Sequence, residues 1–384
     1  MCKIVVASDS FKGTLSSAEV GHICREAIED AFPGVIVEVV QLADGGEGTV
    51  DAVAACRDVE RVTATVADPT GKQIDATYII AGDTAIIEAA AAIGLPLVPA
   101  ERRNPSALSS RGVGMLIADA LTRGVSRFIV GLGGTATVDG GMGLLYALGF
   151  RFLDDDGVKL EPCGAVLGKV ARIVVPEAGA AVWEADFALA CDVTSPLLGP
   201  DGAVRLFGPQ KGAMPAEVEV LEAGMANFAE QLAATSGMGD IATLPGGGAA
   251  GGIAASMSAL VGARSCRGID LLLNMIQFDR KIEGARLVIT GEGRIDRQTL
   301  RGKAPAGVLA AARQRGIPCL VVAGRVEDAG MLACSGFVDV ISINDPALLP
   351  PELTAGDPLD RDVAARRLAV AVVRWLSEHR REGV

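Results

Sequence analysis

The stretch Leu287–Lys303, LVITGEGRIDRQTLRGK, constrains the fold of this chain more than any other. Leu287–Thr290 is a short, β-rich apolar run of the kind that makes a buried strand. Gly291, Glu292, Gly293, Arg294 and Asp296 come directly after it, followed by Arg301, Gly302 and Lys303. Ala304–Arg315 then reads as an alanine-rich helix, with Pro305 in its first turn, where a missing N–H costs little. Acids and bases therefore lie between the C-terminal end of a strand and the N-terminus of a helix. In an open α/β sheet that is the edge where ligands bind. Glycines let the backbone approach a phosphate, bases neutralise it, and acids hold Mg²⁺ or accept a proton. Taken singly, such a loop is better read as an ordinary polar strand–helix connection, so the site reading depends on whether other loops repeat it.

The N-terminus does repeat it. Lys3–Ala7 reads as a buried strand that ends in Ser8-Asp9-Ser10-Phe11-Lys12-Gly13. Ser16 or Ser17 caps a helix running to about Phe32, with Glu19 placed as in a capping box, and Pro33-Gly34 stops it. Val35–Leu42 is the next strand, ending in Ala43-Asp44-Gly45-Gly46-Glu47-Gly48-Thr49, and a helix follows to about Cys56. This βαβα unit predicts a parallel pair with a right-handed crossover. The rhythm then changes. Val59–Ala67, Gln73–Ala81 and Thr84–Glu88 are closely spaced strands joined by Asp-Pro-Thr-Gly and Gly-Asp turns, which is hairpin chemistry. A mixed α/β segment continues to about residue 284, with a helix over Ser109–Arg123 and strands at Arg127–Val130 and Phe187–Cys191.

From Ala285 the βα rhythm returns. Leu287–Thr290, Pro318–Ala323 and Val338–Ile343 alternate with helices near 304–315 and 327–335, and a last amphipathic helix spans about 361–380. Two N-terminal and three C-terminal strands make five. The expectation is a flavodoxin-like doubly wound parallel sheet of order 2-1-3-4-5, built from residues 1–58 and 285–384. Residues 59–284 form an inserted mixed α/β domain. A length of 384 residues fits two domains, and 50% hydrophobic residues with a mean hydropathy of +0.38 exclude wholesale disorder.

Charge and residue usage narrow the function. A net charge of −12 with no basic run argues against a nucleic-acid surface. An acidic protein that binds an anion must gather positive charge locally or use a metal ion. Eight cysteines show no C-x-x-C pair, which reads as reduced, structural thiols of a cytoplasmic protein. With a strand reading from residue 3, a secretory signal is not expected, nor is a membrane span, since no stretch offers roughly 18 consecutive apolar residues. With only His22 and His379 present, histidine catalysis is not expected.

In the expected sheet, strand one delivers Asp9, Ser10 and Lys12 to the ligand edge, and strand two delivers Asp44 and Glu47. Strand three brings Glu292, Arg294 and Asp296, strand four Arg325, and strand five Asn344 and Asp345. A switch point between strands one and three gathers Asp9, Lys12, Glu292 and Asp296 around one crevice. Clustered carboxylates with a few bases suit Mg²⁺-assisted phosphoryl transfer, while the Walker G-x-x-x-x-G-K-[ST] signature is absent. In the inserted segment, Gly131–Gly141 and Gly246–Gly252 are able to offer backbone N–H groups to a triphosphate. Tight turns and close packing account for either glycine loop equally well. Lys211 is an isolated base in Gly208–Gly212, and Asp192 is either a metal ligand or the start of an Asx-turn.

The blocks SDSFKGTLSSAEV (8–20), LADGGEGTVDA (42–52), GLGGTATVDGGMGLLYALG (131–149), CDVTSPLLGPDGAVRLFGPQKGA (191–213), GGGAAGG (246–252) and VITGEGRIDRQTLRGKAP (288–305) together resemble the bacterial class I glycerate kinase family. They span nearly the whole chain in the family's order, with Thr135 and Val138 standing where the family pattern has Ser and Asn. The resemblance implies ATP-dependent phosphorylation of D-glycerate, usually to 2-phosphoglycerate, with Mg²⁺, in a two-domain architecture. The roles expected on that basis are catalysis by Asp9, Lys12, Asp44 and Asp296, and glycerate binding by Ser10, Lys12, Arg294 and Lys303. ATP falls to Gly133, Gly134, Thr135, Gly247, Gly248, Gly251 and Lys211, and the metal to Glu47, Asp192 and Glu292. A monomer or homodimer is expected, with no nucleic-acid or membrane partner. The rivals are a kinase for another small hydroxy acid, a 3-phosphate-forming enzyme, and a non-catalytic sugar-acid or nucleotide sensor.

Overall fold

A computed structural model of the chain describes residues 2–11, 13–43, 45–46, 48–296, 299, 302–327, 335–354, 357 and 359–379. Its strands are, in chain order, β1 (Cys2–Ser8), β2 (Val35–Gln41), β3 (Glu60–Ala67), β4 (Gln73–Ala81), β5 (Thr84–Glu88), β6 (Arg127–Gly131) and β7 (Arg151–Leu153). There follow β8 (Arg172–Val174), β9 (Asp186–Ala190), β10 (Arg264–Cys266), β11 (Ala285–Ile295), β12 (Cys319–Val326) and β13 (Asp339–Ser342). The chain divides into two compact units. Unit 1 comprises Met1–Asp44, Asp51–Cys56 and Ile269–Val384, and unit 2 comprises Gly45–Val50 and Arg57–Gly268. The return crossing falls at 268/269, where the sequence reading puts it at 284/285.

In unit 1 the sheet order is β13-β12-β11-β1-β2 and every pairing is parallel. Renumbered within the unit, this is 2-1-3-4-5, the doubly wound order expected from the five apolar runs. Val5, Val6 and Ala7 are fully buried, as a parallel sheet covered on both faces requires. The helix Ser17–Ala31 begins where the sequence says it must: the Ser16 hydroxyl accepts from the Glu19 N–H, and the Glu19 carboxylate accepts from the Ser16 N–H at 2.8 Å. Its inner face is Val20, Cys24 and Ile28, spaced four apart. Gly21 brings that face down onto β2, since a Cβ there would lie 2.2 Å from a Val39 methyl. The last helix, Arg361–His379, packs Leu368, Ala371, Val372 and Trp375 into the same core as Ile4, Val6, Leu287 and Ile289.

One element runs longer than its apolar core. β11 continues through Gly291, Glu292, Gly293, Arg294 and Ile295 instead of ending at Thr290. Its partner β12 also runs on, giving Gly291↔Val322, Glu292↔Ala323, Arg294↔Arg325 and Ile295↔Val326. Gly291 is needed for that pairing, because a Cβ there would stand 2.2 Å from the Val322 carbonyl oxygen. The helix expected near 327–335 lies largely outside the described residues.

Unit 2 is built on a six-stranded sheet of order β10-β9-β6-β5-β4-β3. The β3–β4–β5 meander is antiparallel, and β5, β6, β9 and β10 are parallel. Asp68 closes the first hairpin by accepting from the N–H groups of Thr70 and Lys72. Tyr78, Phe128, Phe150, Phe152, Phe187 and Phe228 are fully buried in this unit's core. No helix among the described residues is long and apolar enough to cross a membrane.

Removing the Ser16 cap with Ser16→Ala is expected to destabilise unit 1 by about 1 kcal/mol. Urea titration followed by Trp375 fluorescence, in a Trp183→Phe background, would measure it.

Candidate active site

The edge of unit 1 is assembled by the register of two strands. Ser8 pairs with Gly291, and the Asp9 N–H donates to the Gly291 carbonyl at 2.9 Å. The next residue on each strand is an acid, so Asp9 and Glu292 stand at neighbouring positions, 8% and 6% exposed. They lie where β1 connects outward to β2 on one side and β11 borders β12 on the other, which is the switch point of the sheet. The Asp9 carboxylate accepts from the Ser10 N–H at 2.7 Å. Glu292 accepts from the Thr299 hydroxyl, and the Lys303 amine approaches it at 3.4 Å. Lys303 is the residue that opens the helix Ala304–Gln314.

Burial pushes the Glu292 carboxyl above its ordinary value, while the Thr299 hydrogen bond and the charge of Lys303 pull it back. Asp296 and Thr299 are tied reciprocally: the Asp296 N–H donates to the Thr299 hydroxyl at 3.1 Å, and the Thr299 N–H donates to the Asp296 carboxylate at 3.3 Å. Arg294 lies in an ion-pair chain, 2.7 Å from Glu327 and 3.7 Å from Asp296, with Arg325 also on Glu327 at 3.2 Å. The Thr290 hydroxyl, on the same strand face as Glu292, is buried and has no hydrogen-bond partner among the described residues. Lys12, Asp44 and Glu47 lie outside the described residues.

In unit 2 the loop Gly131–Gly141 rests on two buried charges. Asp139 is wholly buried, and its carboxylate accepts from the Ser110 N–H at 2.7 Å and the Ser110 hydroxyl at 2.8 Å. It also accepts from the Gly143 and Gly141 N–H groups at 3.1 and 3.2 Å. Ser110 and Gly141 open the helices Arg111–Thr122 and Met142–Ala147, so one carboxylate meets the positive ends of both. Lys211, 4% exposed, donates to the Thr137 carbonyl at 2.9 Å and the Thr135 hydroxyl at 3.3 Å. Burial lowers its amine from an ordinary 10.5 to about 8, against the pull of the Asp139 charge. Gly133 and Gly134 are exposed at the loop's turn, and Gly134 sits at φ +71°.

The second glycine run behaves differently. Gly246–Gly252 is buried, the Gly247 N–H is taken by the Leu244 carbonyl, and the Gly248 N–H is taken by that of Ser195. A Cβ at Gly248 would lie 2.3 Å from the Pro196 oxygen, and one at Gly251 2.1 Å from that of Thr137. Close backbone packing explains these glycines, and the donors expected to meet phosphate at 247 and 248 are already engaged. Asp192 accepts from the Gly268 N–H at 2.9 Å, a tie across 76 positions of the chain. Among the described residues no three potential His, Cys, Asp or Glu ligands converge. Sequence reasoning passed over Asp139, Ser110, Thr299 and Glu327. Asp139, followed by two glycines and an apolar run, carries a helix-start signal that would have marked it.

Comparison with known proteins decides the family. The profile of the glycerate kinase family matches residues 4–368. The chain belongs to the glycerate kinase family. It is accordingly a phosphotransferase with an alcohol group as acceptor. Among relatives that carry the family name, one from Bacillus subtilis (strain 168) is 39% identical over 91% of this chain and 92% of its own. A protein named glycerate 2-kinase from Escherichia coli (strain K12) is 41% identical over 89% of this chain and 90% of its own. A crystal structure of a protein described as glycerate kinase 2 from Salmonella typhimurium LT2 superposes with a TM-score of 0.82 at 36% identity. That match covers 100% of this chain and 99% of the other.

A carboxyl whose value is raised in the folded state contributes stability that is present below its ordinary range and lost as pH rises through the folded value. Glu292→Gln is therefore expected to hold or raise the melting temperature at pH 7 while lowering turnover by roughly 10- to 100-fold, as loss of a group that orients a site does, read by thermal melts and ADP release. Asp139→Ala strands four donors and removes the counter-charge of Lys211. It is expected to destabilise unit 2 by about 3 kcal/mol, measured through Trp183 fluorescence in urea in a Trp375→Phe background.

Proposed function

We propose that this chain transfers the γ-phosphoryl group of ATP, with Mg²⁺, to D-glycerate, and that the product is 2-phosphoglycerate. The observation that carries the reading is the side-by-side placement of Asp9 and Glu292 at the switch point, in a chain of this family. As the new O–P bond forms, the acceptor hydroxyl must give up its proton, and a carboxylate within hydrogen-bond reach takes it. Asp9 and Asp296 are the candidates for that base, together with Asp44. Lys303, Lys12 and Ser10 would hold the glycerate carboxylate, as a charge-assisted pairing favours. Glu292 orients Lys303 through its carboxylate. Arg294 is better read as the residue that sets Asp296, since its guanidinium spans Asp296 and Glu327.

The nucleotide's phosphates would meet the exposed turn at Gly133 and Gly134, next to Thr135, where backbone N–H groups can face an anion. The carboxylate oxygens of Glu292 and Asp192 are of the hard type Mg²⁺ prefers. Mg²⁺ usually keeps several waters and takes one or two carboxylates beside the substrate's phosphates, so either acid alone would suffice. When bound, the metal neutralises charge on the transferring phosphoryl group. The protein would act in the cytoplasm, as a monomer or homodimer.

Phosphorus NMR of the purified protein with ATP, Mg²⁺ and D-glycerate tests the reading. A 2-phosphoglycerate signal is expected; a 3-phosphoglycerate signal would change the regiochemistry, and intact ATP across a panel of small hydroxy acids would sink the proposal. Asp9→Asn and Asp296→Asn should each lower turnover about 100-fold. A folded Asp296→Asn protein with near-normal turnover would remove that residue from the mechanism.

A further inference from the structure

Lys211 is expected from the sequence among the ATP-binding residues, yet it is buried, and its amine is turned to Thr135 and Thr137. It leaves the end of the helix Ala203–Phe207 on the short turn Pro209–Lys211, and its amine comes up beneath the loop Gly131–Gly141. There it binds Thr135 through the side chain and Thr137 through the backbone, on the segment immediately after the exposed Gly133-Gly134 turn. An ammonium group has three protons and no acceptor capacity, and two acceptors of this segment, the Thr137 carbonyl and the Thr135 hydroxyl, take hydrogen bonds from it.

We propose that Lys211 is a positioning residue for the nucleotide: it fixes Thr135 and Thr137 from below and places one positive charge behind the turn that receives the phosphates. The proposal rests on the reading that the phosphates meet Gly133–Thr135. It accounts for how a chain of net charge −12 attracts a polyanion at a turn without an exposed base of its own. The charged groups on the segments around Lys211 are Asp139 in the loop, Arg103 against Gly212, and Arg205, which is paired with Glu219 and Glu222. Of these, Asp139 is the one whose charge acts on the amine.

A polyphosphate arriving above the amine favours its protonated form. The amine is lowered to about 8 in the free protein. ATP binding at pH 8.5 should therefore take up roughly half a proton, and uptake should vanish at pH 6.5, where the amine is already charged. Isothermal titration of wild-type protein and Lys211→Met with ATP and Mg²⁺, in buffers of different ionisation enthalpy, reads this directly and needs no acceptor. Lys211→Met should lose the uptake and bind ATP about tenfold more weakly, the size of one charge-assisted hydrogen bond. In turnover, KM for ATP should rise by a similar factor while KM for D-glycerate and kcat stay within about threefold.

Equal proton uptake in both proteins would overturn the proposal, as would a fall in kcat with KM for ATP unchanged. Should Lys211→Met fail to fold, Lys211→Arg, which keeps the charge but does not titrate in this range, takes its place: it should bind ATP within about threefold of wild type without the uptake, and uptake equal to wild type overturns the proposal. A wild-type protein that binds no ATP at all would overturn the nucleotide reading itself.

Discussion

The parallel ladder between β1 and β11 is the interaction on which unit 1 depends. It joins the first residues of the chain to a strand near position 290, and Lys3 adds a hydrogen bond to the Lys281 carbonyl across 278 positions. Closing so long a loop costs only modestly more than closing a short one, because the entropy grows with the logarithm of length. Val5, Val6, Leu287 and Val288, all fully buried, supply the return. The same ladder positions the chemistry. Side chains alternate along a strand, so a one-residue slip would turn Glu292 to the face that now holds Leu287 and Ile289. The hydrophobic register and the placement of Asp9 beside Glu292 are one and the same fact.

Much of this architecture is legible in the residues because its signals are local. Ser16 and Glu19 mark a helix start, Asp68 and its neighbours mark a hairpin, and five apolar runs in βα rhythm give the count and hence the strand order. What escapes is long-range. β11 outlasts its apolar core because β12 offers Val322–Val326 as a partner, and glycine with charged residues looks like loop until that partner is known. Gly246–Gly252 resembles a phosphate cradle in sequence, yet its glycines answer to the carbonyls of Pro196 and Thr137. Asp192 finds its donor at Gly268, and Lys211 finds its acceptors at Thr135 and Thr137, which no spacing rule connects. Arg294 looks available in sequence, and only the position of Glu327 shows it engaged.

The two units handle charge in different ways. At the edge of unit 1 the acids are nearly buried; the Thr299 hydroxyl and the Lys303 amine offset the desolvation of Glu292, and the Ser10 N–H bonds Asp9. In unit 2 an acid and an amine both lie inside, where an isolated charge would be prohibitive. Asp139 is made tolerable by four donors, all at the starts of two helices, and Lys211 by a carbonyl, a hydroxyl and the nearby carboxylate. A wholly apolar core would be simpler to stabilise. What the charges add is a set of ties that join the loop to Ser110 on one helix start and to Lys211 on the turn Pro209–Lys211.

The division of unit 1 across the chain also sets an order on its birth. During synthesis β1 and β2 leave the ribosome together, but β1 presents one bare edge until β11 has been made. Unit 2 is complete by Gly268, before that strand exists, and can therefore condense first. For most of translation, the two N-terminal strands are a half-sheet with an open template for mispairing. The emergence of β11 ends that exposure and, in the same motion, brings the two acids at the sheet edge together.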